Sequence, residues 1–247
     1  MEVHAHSHTA RKKWTHYFWE FLMLFLAVFC GFLAENQREH MVEHQREKKY
    51  INSLIVDLKK DTADIKYAIS FCITKFYGMD TLTQLLNKDI LSNDEEKELY
   101  YLNSRYAKSV LFMIFNERTI KQLLSSGNLR LVKKQETSDS IMGYYGFLDN
   151  VTGQVKVCDE MSKRLIFSAE DIFDNSASMK KMKADSSFYQ DIRQEKMKLI
   201  TKDKNVLRKY SQMIITVQGM WANYISMLLL TKKGGEDLLF FLENEYK

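Results

Sequence analysis

The chain has 247 residues, with 36 Lys and Arg against 32 Asp and Glu and a formal net charge of +4. An excess that small and dispersed excludes the basic stripe of a nucleic-acid-binding protein, so no nucleic acid is expected among its partners. Three cysteines exclude a disulfide framework, and the complete absence of proline points to long helices with few connections, because proline breaks helix interiors and punctuates loops.

Residues 1–13 read as a cytoplasmic tail, basic at its end through Arg11, Lys12 and Lys13, with His4, His6 and His8 alternating before them. Alternating histidines can chelate a transition metal, but in such a tail the plainer reading is solvated chain. Residues 14–35 read as a transmembrane helix. From Tyr17 to Ala34 the sequence is YFWEFLMLFLAVFCGFLA, with one charge. At about 1.5 Å per residue it covers about 27 Å, close to the hydrocarbon thickness of a bilayer. Trp14, Tyr17 and Trp19 sit at its N-terminal end, where amphipathic rings favour the headgroup level.

The segment is too long for a signal-peptide core and no small-residue cleavage site follows, so it reads as an uncleaved signal anchor. A buried core helix is the competing reading, but soluble helices rarely stay apolar on every face over this length. Three Lys/Arg abut the span on its N-terminal side. On the far side Arg38 stands alone before Arg46, Lys48 and Lys49. That proximity favours a cytoplasmic N-terminus and a single pass through a bacterial inner membrane. Residues 36–247 would then form a periplasmic helical domain.

Within the span, Glu20 is an ionisable group about 5 Å from the Tyr17 end. It is either a contact to a partner helix or a tolerated interfacial charge. Ala27 and Gly31 make a small-xxx-small pair that permits close helix approach. Glu20, Ala27 and Gly31 are therefore the candidate membrane-helix contact residues. Just beyond the span, His40-Met41-Val42-Glu43-His44 matches the H-x-x-E-H pattern of inverted zinc peptidases, with two histidines one turn apart and a glutamate to activate water. No third ligand is evident, and a solvated charged helix is the better reading, so no metal site and no cofactor are expected.

The membrane helix is expected to continue unbroken into a stripe of Ile51, Leu54, Leu58, Thr62, Ile65, Ile69, Cys72 and Phe76, spaced by three or four. That stripe faces partner helices of the domain or another copy of the chain. Gly78 and then Asn87 to Asn93 are the first expected breaks. Ser92 or Asn93 followed by three acids is a helix start. Another start falls at Asn116, with an end at Ser125-Ser126-Gly127. Leu129 to Val132 reads as an extended connector.

From about Glu136 a long helix carries Ile141, Tyr144, Leu148, Val151, Val155, Cys158, Met161 and Leu165 inward. Asn175 to Ser187 reads as a mobile loop. A last helix starts near Asp203 with Val206, Tyr210, Met213, Val217, Met220, Tyr224 and Met227 inward, and Gly234-Gly235 interrupts it. Ser211 to Leu230 is apolar enough to be a second span, though Gln218, Asn223 and the stripe favour a bundle helix. The fold class is thus all-α: an N-terminal transmembrane helix continuing into an elongated antiparallel helical bundle.

The run EFLMLFLAVFCGFLAENQREHMVEHQREKKYINSLIVDLKKDT resembles the N-terminal region of an uncharacterised single-pass membrane protein family of Bacteroidetes-type bacteria. The matching features are Glu20, the small residues Ala27 and Gly31, Glu35-Asn36, and Asp57-Leu58-Lys59-Lys60-Asp61; the connector LLSSGNLRLV and Tyr144-Tyr145 are also similar. The resemblance implies an all-helical extracytoplasmic domain and brings no catalytic residues with it.

The sequence holds no supported Ser-His-Asp arrangement, phosphate loop or CxxC. The expected function is therefore non-enzymatic: a membrane-anchored scaffold or accessory subunit, partnered by the bilayer and by a homo-oligomer or another membrane protein. A sensory domain signalling through a membrane partner is the second class. A metal-dependent hydrolase built on His40, Glu43 and His44 is the third.

Overall fold

The computed structural model describes residues 14–175 and 198–246. The expected tail of residues 1–13, with its histidines, and most of the expected loop at Asn175 to Ser187 lie outside the described residues. Those described form five α-helices and no strand: α1 Trp14–Leu86, α2 Asn93–Leu102, α3 Arg118–Ser125, α4 Gln135–Ser168 and α5 Lys204–Glu245. The protein is all-α, and it divides into two units, Met1–Tyr50 and Ile51–Lys247.

In the first unit α1 carries the apolar segment. Trp14, Phe21, Leu24, Val28 and Phe32 are all more than half exposed. Two helices among the described residues are long and apolar enough to cross a membrane, α1 and α5; the apolar window of α1 is wholly unburied and that of α5 is partly buried.

The second unit is a bundle of the C-terminal part of α1 with α4 and α5. Lys59 pairs with Glu243 at 2.7 Å, Gln218 donates to the Phe76 carbonyl at 3.1 Å, and Asn87 donates to the Ser211 hydroxyl at 3.0 Å. Residue numbers rise along α1 as they fall along α5, so the two run antiparallel. Tyr144 against Gly235 and Lys134 against Glu245 give α4 the same sense relative to α5.

The core is a set of three stripes. Along α1 it is Ile51, Leu54, Leu58, Ile65, Cys72, Met79, Leu82 and Leu86. The expected Thr62, Ile69 and Phe76 flank that stripe half-buried, while Asp61, Ala68 and Lys75 occupy its centre. On α4, Ile141, Tyr144, Leu148, Val151, Cys158 and Leu165 are buried as the spacing requires. On α5 the deepest residues are Leu207, Tyr210, Ile214, Val217, Trp221, Tyr224 and Leu228. The expected Val206, Met213, Met220 and Met227 lie beside them, half-buried. Within the segment Ser211 to Leu230 this stripe packs into the bundle, while Ile215, Leu229 and Leu230 are exposed.

Helix ends follow local chemistry. Ser92 caps α2 with a complete capping box: its hydroxyl accepts from the Glu95 amide, and the Glu95 carboxylate accepts from the Ser92 amide. Ser92→Ala removes the hydroxyl acceptor and leaves the backbone bond to Glu95, and should lower stability by about 1 kcal/mol, measurable by chemical denaturation. Asp203 caps α5 by accepting from the Asn205 amide at 2.7 Å. After α3, Gly127 takes φ +66°, the left-handed conformation that stops the helix.

Three expected features are corrected. Gly78 does not break α1, and Gly234-Gly235 does not interrupt α5, because neighbouring side chains fill the space above both. Residues expected as an extended connector form a 3₁₀ turn at Asn128–Leu131, and extended backbone begins only at Val132. By contrast Gly153 and Gly219 lie inside helices with open space where a Cβ would go. Alanine at either should stabilise the fold by about 0.5–1 kcal/mol, read as a raised thermal midpoint.

Candidate functional site

The residues singled out in the span lie along one side of α1. At 100° per residue, Glu20, Ala27 and Gly31 fall within about 40° of one another. Phe21, Phe25 and Phe29 stack in a ladder, with ring centroids 6.3 and 5.8 Å apart, on a sector roughly 140° away. The helix therefore has a bulky aromatic side and a small-residue side with a carboxylate near its start. Glu20 pairs with His16 one turn earlier, Nε2 to Oε1 at 3.2 Å. A Cβ on Gly31 would meet nothing within 4 Å, so the small-residue side is open.

His40, Glu43 and His44 share a helix face, but each imidazole is oriented toward a glutamate three residues on. His44 Nδ1 lies 3.2 Å from Glu47 and His40 Nδ1 lies 3.9 Å from Glu43. Among the described residues no group of three or more His, Cys, Asp or Glu is arranged to hold a metal ion.

The bundle interior holds charges that hydrophobic spacing does not reveal. Lys75 is 1% exposed. Its ammonium donates to the carbonyls of Tyr106 and Ser109, each at 2.6 Å, and lies 5.1 Å from the centre of the Trp221 ring. Tyr106 belongs to a short π-helical segment, Asn103–Ala107, that follows α2, and Ser109 lies just beyond its end. A cation at this C-terminal end suits the negative end of a helix. Burial presses Lys75 down to about 8, while Cys72 and Asp159 pull in the opposite direction.

Cys72 and Cys158 are free thiols, both fully buried. Burial pushes them up to about 12 and about 11. Thiols so held are protonated at neutral pH and unreactive as nucleophiles.

A second polar cluster joins α1 to α3. Asp61, fully buried, accepts from the backbone amide of Asn116 at 2.9 Å and from its side-chain amide. Asp57 accepts from the Thr119 hydroxyl. The helix α3 has no side-chain cap of its own, so two carboxylates from α1 stand at its positive end instead. Burial raises the Asp61 pKa, and the bonds from Asn116 oppose that rise. Removing the carboxylate in Asp61→Ala should cost about 2–3 kcal/mol, as hydrogen bonds to a charged acceptor are lost. Faster amide exchange across residues 118–125 would mark the release of α3.

Sequence reasoning missed both interior clusters. The available signal was periodicity itself: Asp61 and Lys75 sit at core positions of the three-to-four spacing, where a polar residue demands a partner. Compared with known proteins, the chain matches no family model, no curated protein and no solved structure.

Proposed function

We propose that this chain is a single-pass protein of a bacterial inner membrane, acting as a non-enzymatic scaffold or accessory subunit with its helical domain in the periplasm. The observation that carries the reading is the apolar window of α1, none of which is buried among the described residues. A helix apolar on all sides requires a surround that water does not supply, and lipid with a partner helix does. The side bearing Glu20, Ala27 and Gly31 allows close backbone approach, and the aromatic ladder suits lipid. The partner is a second copy of the chain or another membrane protein that meets this side.

The test is crosslinking in the membrane. A photoreactive residue at Ala27 or Gly31 should trap a protein adduct identifiable by mass spectrometry, and one at Phe25 or Phe29 should give mostly lipid. Extraction of the intact chain by alkaline carbonate would overturn the anchor. Equal adducts from both sides would overturn the assignment of the contact face. Orientation is read separately, from protection of a C-terminal tag against protease in spheroplasts: a digested tag is the expected result.

A further inference from the structure

Independently of the membrane reading, a cleft between α4 and α5 has the properties of a small-molecule site. Its volume is about 630 Å³, within the range of pockets that take a small organic ligand. Its walls are apolar and largely aromatic, from Tyr144, Phe147, Leu230, Leu238 and Phe241. Glycine lines it on both sides. Gly143 of α4 and Gly234 of α5 both line it, and a Cβ on Gly143 would meet nothing within 4 Å. Glycine inside a helix costs about 1 kcal/mol relative to alanine; at Gly143 the space it leaves is part of the cleft, and at Gly234 a Cβ would lie 3.7 Å from the Tyr144 ring that forms the wall.

Two exposed polar side chains on the walls have no partner among the described residues. Asp237 of α5 is the charged residue of the lining among the described residues, is exposed, and makes no ion pair. Ser140 of α4 lines the same cleft, is exposed, and has no hydrogen-bond partner among the described residues. A carboxylate and a hydroxyl above aromatic walls form an acceptor set: they satisfy a cationic donor, and ring faces add attraction for the same charge. An anion would meet repulsion from Asp237 and gain no cation in exchange. We propose that this cleft binds an organic ammonium compound with an apolar, aromatic-sized body, its charge at Asp237 and Ser140 and its body on the Tyr144 and Phe147 rings.

The test uses the full chain in nanodiscs, with empty nanodiscs subtracted, and three probes of one shape: 4-phenylbutylammonium, 4-phenylbutanol and 4-phenylbutyrate. Equilibrium dialysis and saturation-transfer NMR should show one saturable site for the ammonium, with Kd on the order of 1 mM as expected for so small a ligand. The carboxylate should bind at least about tenfold more weakly, since its charge faces Asp237. Gly143→Trp should fill the cleft and abolish saturable binding. Asp237→Asn should weaken the ammonium about threefold or more and leave the alcohol unchanged. No saturable site, equal binding of ammonium and carboxylate, or undiminished binding in a folded Gly143→Trp would each overturn the proposal. Should Gly143→Trp lose its helical melting transition, Asp237→Asn decides alone: loss selective for the ammonium supports the site, and unchanged binding refutes it.

Discussion

Lys75→Ala is expected to destabilise the helical unit by about 3–5 kcal/mol, through the cavity left by the long side chain and the carbonyls left without a donor. The ammonium ties the π-helical segment to α1 through Tyr106 and Ser109, and it rests on Trp221, itself fully buried. Lys75→Met keeps the stem and removes the charge. It should cost less, about 1–3 kcal/mol, because the burden of burying a cation disappears along with the bonds it made. Chemical denaturation of both variants separates packing from charge.

The same residue gives a pH signature whose direction is fixed by the lowered value. With Lys75 at about 8 in the folded chain and near 10.4 when unfolded, the unfolded state binds more protons between those limits. Stability contributed at this position therefore rises with pH across about 8 to 10.4 and is flat below about 8, where both states are protonated. The full rise is about 3 kcal/mol. Subtracting the profile of Lys75→Met isolates it. A stability difference that stays constant from pH 7 to pH 10 would show that the carbonyls and Trp221 hold the proton against burial.

The second large effect is at Gly78. A Cβ there would fall 2.2 Å from both Cγ and Cδ2 of Tyr106, a separation no flexible end can relieve because the atoms belong to the ring base. Gly78→Ala should cost about 3 kcal/mol, at the upper end for overpacking a core. The gain in helix propensity returns only about 1 kcal/mol. Combining it with Tyr106→Ala should recover part of the loss, which a double-mutant cycle would register as coupling above about 1 kcal/mol. Gly78 and Lys75 are three residues apart and both meet Tyr106, so this stretch of α1 is shaped to receive the π-helical segment.

That shaping explains where the sequence was legible. Absent proline, three-to-four spacing and cap residues are local properties, and they located the long helices, the helix start at Ser92 or Asn93, the start near Asp203 and the Gly127 stop. A glycine, however, carries two meanings. Gly127 ends a helix by taking a left-handed φ, whereas Gly78 and Gly235 admit the rings of Tyr106 and Tyr144 into uninterrupted helices. Nothing within a few residues of Gly78 announces Tyr106, which lies 28 positions on. Likewise Thr62, Ile69 and Phe76 read as core because they are less polar than Asp61 and Lys75. The polar residues went inside because Asn116, Tyr106 and Ser109 arrive there with matching groups.

The sequence by itself determined the helical class, most helix boundaries and the apolar window of α1, since each depends on neighbours along the chain. Tertiary structure alone decided which turns of α1 face the bundle and that two charges lie within it. It also set Gly143 and Gly234 opposite one another across a cleft. Those outcomes require groups distant in sequence to meet, and the free energy of burying a charge or opening a space is settled only by what stands on the other side.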